Sequence, residues 1–205
     1  MLKTYQYPEF AYVQSPEQAA GQVKRHQAVI VGGGPIGLAA ALDFARRGIR
    51  CVVLDDNNTV SIGSRAVCYA KRPLEIWDRL GCGERMVAKG VSWKVGKVFV
   101  RDELSYQFDL LPEEHHKMPA MINLQQYYLE EYMIEAIARN DLIDLRWKHK
   151  VVSVRQADDH AVLTVETPDG VFMMEADWVL ACDGANSDMR KMVGAEFTGQ
   201  FFQDR

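Results

Sequence analysis

Gly32, Gly34 and Gly37 stand in the run Ala28-Val29-Ile30-Val31-Gly32-Gly33-Gly34-Pro35-Ile36-Gly37, where an apolar stretch breaks into glycine and resumes with helix formers. The spacing suits backbone that must carry phosphate. Gly32 permits a tight turn out of a strand, and Gly34 removes the Cβ that would keep a pyrophosphate away. Gly37 lets the following helix pack closely on that strand. A helix N-terminus here offers unpaired N–H groups and about half a positive charge to an anion. Pro35 sits near the first helical position, where its missing N–H costs nothing, and Ile36 completes the binding turn. Asp55 ends the next apolar run, where a carboxylate can accept both hydroxyls of a ribose. An acid at that position disfavours a 2′-phosphate, so NADP is not expected at this turn. FAD and NAD both stay open on this motif alone.

A second constellation is Asp183-Gly184-Ala185-Asn186-Ser187-x-x-Arg190, which follows the apolar run Trp178–Cys182. It reads as another loop at the ligand-binding ends of sheet strands. The plainer alternative is a capped helix, with Ser187 or Asn186 as N-cap and Arg190 in solvent. Other candidates carry less. Glu113-Glu114-His115-His116 has metal-ligand types, yet adjacent side chains in a turn cannot easily face one ion, so no metal is expected. His149, between two lysines, reads as an exposed strand residue. Met173, Met174, Tyr127, Tyr128 and Tyr132 read as core or interface packing. Cys182 reads as a small buried hydrophobe rather than a redox thiol.

The elements that must hold these residues follow from apolar patterning. Gln27–Val31 and Ile49–Leu54 are continuous apolar runs, as expected for strands covered on both faces. Between them Pro35–Arg47 predicts a helix ended at Gly48, giving a right-handed βαβ unit. Lys71–Leu80 and Leu124–Arg139 predict helices, and Val91–Leu111 predicts two or three strands. Leu142–Trp147 predicts a short strand returning to the main sheet. Three strands are expected at Val151–Val154, Ala161–Glu166 and Val171–Glu175, with a turn at Thr167-Pro168-Asp169-Gly170. Trp178–Cys182 predicts a separate buried strand, and Ser187–Val193 opens a helix. Residues 1–24 read as an irregular arm whose aromatics dock on the domain. The fold class is α/β, a parallel sheet interrupted by antiparallel strands.

Bulk properties exclude several classes. With 48% apolar and 25% charged residues the chain has a globular composition, and its net charge of −4 includes no basic cluster for nucleic acid. No apolar run approaches the roughly 20 residues that span a bilayer. Four scattered cysteines without a Cys-x-x-Cys pair suggest reduced thiols and a cytoplasmic setting.

The chain resembles the class A flavoprotein monooxygenases, aromatic hydroxylases related to p-hydroxybenzoate hydroxylase. Asp183-Gly184 with Ser187 and Arg190 is similar to their Asp-Gly motif, and Ser64-Arg65-Ala66 to an element whose arginine contacts the flavin. Gln126-Tyr127-Tyr128-Leu129-Glu130 is similar to the helix that supplies a glutamine to FAD. Val152 falls where the family sets a residue against the adenine. The stretch Ser64–Glu75 looks most like the 3-(3-hydroxyphenyl)propionate hydroxylase branch.

The resemblance implies a Rossmann-like FAD-binding fold over 25–205. Within it, 91–116 would begin a substrate-binding sheet and 149–176 form a β-meander. It implies FAD as cofactor, NADH or NADPH as co-substrate, and O2 placed on an electron-rich aromatic ring. Implied cofactor-binding residues are Gly32, Gly34, Pro35, Ile36, Gly37, Asp55, Arg65, Gln126, Val152 and Asp183, with none catalytic in this segment. Family members are longer and carry a later Gly-Asp motif. The expectation is therefore an N-terminal portion lacking the C-terminal substrate domain and inactive alone, with a homodimer or a complementary C-terminal half as possible partner. A related reductase or halogenase, or a non-catalytic FAD-binding remnant, are the alternative readings.

Overall fold

The computed structural model describes residues 5–63, 65–200 and 202, so Ser64 lies outside the described residues. The arm holds α1 (Pro16–Ala19), followed by β1 (Arg25–Val31), α2 (Pro35–Arg46) and β2 (Cys51–Asp55). Then come β3 (Cys68–Ala70), α3 (Lys71–Arg79), α4 (Gly83–Lys89), β4 (Val91–Trp93), β5 (Val95–Val100) and β6 (Glu103–Asp109). The rest is β7 (Met121–Asn123), α5 (Gln126–Ile137), β8 (Ile143–Trp147), β9 (Lys150–Gln156), β10 (Ala161–Thr167), β11 (Gly170–Ala181) and α6 (Asp188–Met192). Contacts divide the chain into two units, Glu9–Asn58 with Leu142–Arg205, and Met1–Pro8 with Thr59–Asp141.

The first unit is built on a six-stranded sheet in the order β8-β2-β1-β11-β10-β9. The four strands from β8 to β11 run parallel, while β10 and β9 continue antiparallel. Ala28–Val31 and Cys51–Leu54 are all buried, because helices and strands cover both faces. On one side α2 buries Leu38, Ala41, Leu42 and Ala45. On the other, Val29, Val31, Val52 and Leu54 share a core with Leu163, Val165, Met174 and Ala176 of the meander. Each such buried aliphatic side chain contributes about 1.5–3 kcal/mol. Gly48, at φ 75°, ends the turn after α2.

One expectation is corrected here. The runs Val171–Glu175 and Trp178–Cys182 are not two strands but the single twelve-residue β11. Its first part pairs antiparallel with β10, and its last part pairs parallel with β1. The residues facing the core change parity along it: Met174 and Ala176 early, Val179 later. The switch falls at the exposed Asp177 and Trp178, whose polar break imitates a loop in the sequence. His149 is a second correction. It is 1% exposed, because Tyr12 and Phe172 flank its ring and its Nδ1 lies 2.9 Å from the Trp147 carbonyl. Met173 is a third, half exposed beside the fully buried Met174, since neighbouring strand residues point to opposite faces.

The second unit holds a small antiparallel sheet, β3-β7-β4, with α3 against β3, α4 against β4 and α5 packed on α4. Leu74, Met86, Ile122, Leu129 and Met133 are fully buried there. The short β3, β7 and α4 carry too few residues to show a period and are not legible in the sequence. Val91–Leu111 resolves into β4 and the hairpin β5–β6, which turns at Arg101 with φ 54°. Every residue of β6 is exposed. Tyr5 stacks on Tyr127 at 4.1 Å, its hydroxyl donating to Glu131, so this end of the arm docks as expected. Among the described residues no helix is long and apolar enough to cross a membrane.

Candidate functional site

In the first unit the three glycines have separate observable reasons. Gly32 has φ 109°, and a Cβ there would overlap the Cys182 carbonyl of the neighbouring strand end. A Cβ on Gly37 would overlap the Gly32 carbonyl and press on Ile30, so glycine sets the close approach of α2 to β1. Gly34 differs from both. Its φ of −79° and ψ of −175° suit any residue, and a Cβ there would meet nothing within 4 Å. Nothing in the protein therefore requires glycine at that position.

Gly34 is also the N-cap of α2, and no side chain caps that helix. Its first-turn N–H groups carry the positive end of the helix dipole. Ile36, in that turn, is 71% exposed. Bare backbone and uncapped donors fit the diphosphate of a dinucleotide, so the residues present suit FAD.

Asp55 closes β2 beside this turn. Its Oδ2 accepts from the Gly33 amide at 2.5 Å and its Oδ1 from the Asn57 amide at 2.8 Å. Burial pushes its carboxyl above the usual range, while those two amides pull the other way. Each oxygen keeps a lone pair for a further donor such as a ribose hydroxyl. Val152, on β9, is 37% exposed, three residues past His149, whose amide donates to the Asp55 carbonyl.

Asp183 realises the capping alternative. Its Oδ1 accepts from the Ser187 hydroxyl at 2.6 Å and its Oδ2 from the Met189 amide at 2.9 Å. Ser187 in turn accepts from the Arg190 amide, making it the N-cap of α6. Arg190 is not a bare solvated cation: it donates to the Ala185 carbonyl and lies over the Phe197 ring at 4.1 Å. The Cys182 thiol is pushed up by burial and by Asp183, which suits a packing residue rather than a nucleophile.

Arg65 and Gln126 belong to the second unit. Arg65 is exposed. Gln126, at the first position of α5, donates to Glu130 at 2.8 Å and to the Ser61 hydroxyl at 3.0 Å. Glu130 is 2% exposed and accepts from both the Ser61 amide and hydroxyl at 2.6 Å. Sequence reasoning missed this Ser61–Glu130 anchor, whose only trace is an acid on the apolar face of a helix. It missed Gly33 and Asn57 as well, which act through backbone amides that any residue supplies. The Glu113–His116 segment forms no metal cluster, nor does any other group of the described residues.

Residues 25–202 match a family model described as FAD binding domain. A para-nitrophenol 4-monooxygenase from a Pseudomonas species is 30% identical over 183 residues, spanning 86% of this chain and 44% of that enzyme. The crystal structure of p-nitrophenol 4-monooxygenase from Pseudomonas putida superposes with a TM-score of 0.81 at 31% identity, over 87% of this chain and 46% of that one. A 3-(3-hydroxy-phenyl)propionate/3-hydroxycinnamic acid hydroxylase from Mycolicibacterium smegmatis is 22% identical, over 83% of this chain and 30% of that enzyme. The chain thus spans less than half the length of these relatives. It belongs to the family of FAD-binding domains found in flavin-dependent monooxygenases.

Proposed function

We propose that this chain is the FAD-binding portion of an aromatic monooxygenase that uses NADH or NADPH and O2 to hydroxylate a phenolic or related small aromatic. The observation that carries the reading is the unfilled Cβ position of Gly34 at the uncapped start of α2, with Asp55 beside the same turn. FAD, once bound and reduced, supplies the oxygen-activating chemistry. The chain's own residues bind and orient. The amides of Gly34, Ile36 and Gly37 take the diphosphate, with Pro35 setting the first helical turn without a donor of its own, and Asp55 accepts from ribose. Val152 lies against the adenine. Arg65 offers an exposed guanidinium to neutralise phosphate or steer the flavin. Gln126 holds the Ser61 loop and has its carbonyl oxygen left for the cofactor. Asp183 fixes α6 and keeps lone pairs toward the sugar or linker. Four free cysteines agree with a cytoplasmic protein, and the partners proposed are a second copy of the chain or a complementary C-terminal half.

Oxidation of NADH and NADPH, with and without p-nitrophenol and other phenols, tests the proposal. The FAD-loaded chain should show no phenol-stimulated oxidation alone and should gain it when a complementary C-terminal half is supplied. Stimulation by the chain alone would overturn its being a portion. None with the half present would overturn the aromatic monooxygenase.

A further inference from the structure

We propose that the arm segment 9–24 is a positioning element for the ribose acid Asp55, holding the nucleotide-binding loop from outside the FAD-binding domain. The proposal rests on the reading of Asp55 given above. The family match begins at residue 25, so the domain itself does not account for the arm. Yet the arm is bound closely within its unit. Ser15 caps α1 by accepting from the Gln18 amide, which sets Glu17 into the interior at 4% exposure. Glu17 Oε1 accepts from Arg146 at 2.6 Å and lies 3.2 Å from His26 Nε2. Arg146, 6% exposed on β8, is completed by Asp144 at 2.7 Å. Upstream, the Tyr12 hydroxyl lies 3.0 Å from Asp169 and 3.2 Å from Thr167, with its ring beside His149.

The segment nearest the site is Phe10. Its ring stacks on Trp147 at 4.6 Å with 9° between planes, and its amide donates to the Asn58 carbonyl at 2.8 Å. Asn58 ends the loop that Asp55 begins. The other side of that loop is gripped by the turn after Trp147, where Lys148 takes a left-handed φ of 57°. In that conformation the Lys148 amide donates to Asn57 O at 3.0 Å and the His149 amide to Asp55 O at 2.8 Å. Arm and β8–β9 turn thus hold the backbone of residues 55–58 from two sides. Asp55's own contacts to the Gly33 and Asn57 amides depend on that backbone staying in place. A loosened arm leaves the fold's core intact but lets the acid swing.

Phe10→Ala removes the stack and leaves the buried Glu17–Arg146 pair untouched. Amide hydrogen exchange is measured at Gly33, Asn57, Lys148 and His149, with the core amides of Leu163 and Val165 reporting global stability. FAD affinity is measured on the same proteins. In Phe10→Ala the loop amides should exchange faster by about tenfold while core amides do not change, and FAD should bind about tenfold more weakly. Phe10→Tyr should restore both. Unchanged loop exchange, or faster exchange with unchanged FAD affinity, would overturn the proposal, as would equal acceleration of core and loop. A wild-type chain that takes up no FAD would overturn the parent reading instead, and the exchange data would still decide whether the arm holds Asp55.

Discussion

At the scale of single residues, glycine marks three physical demands that the letters alone do not separate. Gly32 answers a left-handed φ and a carbonyl in the way, Gly37 answers helix–strand contact, and Gly34 answers nothing inside the protein. Substitution separates them. Gly37→Ala should lower the melting temperature of the apo chain sharply, as expected of overpacking by about 1–3 kcal/mol. Gly34→Ala should leave it nearly unchanged, and differential scanning calorimetry of both variants reads the contrast. Equal destabilisation would mean that Gly34 also serves packing. The strand, glycine turn and helix, with Asp55 at the end of the next strand, were legible because glycine breaks an apolar run there and helix formers resume it. Asp183 was only half legible: its letters serve a cofactor contact or a helix cap alike, and the cap is what its two oxygens make.

At the scale of elements, the long apolar runs predicted themselves and the contextual ones did not. β1, β2, α2 and α5 carry enough apolar residues at one period to be read directly. β11 was misread because its core-facing parity reverses where it passes from meander to parallel sheet. His149 was misread because two flanking lysines suggest solvent, while the arm that covers it is distant in sequence. The Ser61 loop is held to α5 by Glu130, a buried carboxylate accepting three hydrogen bonds. Glu130→Ala leaves the part-buried Ser61 amide and hydroxyl without their acceptor and removes one of the two acceptors of the Gln126 side-chain amide. It should cost about 2–4 kcal/mol in urea denaturation, whereas Gln126→Ala should cost about 1 kcal/mol. Similar small losses for both would show that Glu130 is not the anchor.

At the scale of the whole molecule, burial gives stability a pH dependence of definite sign. Burial pushes the imidazoles of His26 and His149 below their usual value. Below about pH 6.5 the unfolded chain therefore binds protons that the folded chain refuses, and stability falls as pH falls toward the depressed values. Burial acts on Glu17 in the opposite sense, but Arg146 outweighs it and holds the carboxyl low, so a further loss follows below about pH 4.3. Asp55, pushed up by burial, works the other way, its contribution present below about pH 3.9 and lost as pH rises through its raised value. With two histidines acting first, the melting temperature should drop between pH 7.5 and 5.5, a window about one unit either side of the free imidazole value. His26→Gln with His149→Gln should flatten that slope. A melting temperature that rises on acidification would contradict the burial of both rings.

The measurement that bears most directly on the account is flavin retention: purified chain is mixed with FAD, desalted, and its visible absorbance compared with that of Gly34→Val. The wild-type chain should keep yellow flavin and Gly34→Val should emerge colourless at an unchanged melting temperature, because a Cβ at that position meets nothing in the protein and stands where the proposed phosphate would sit. A colourless wild type, or equal colour in both, would contradict a diphosphate seated on the amides at the head of α2.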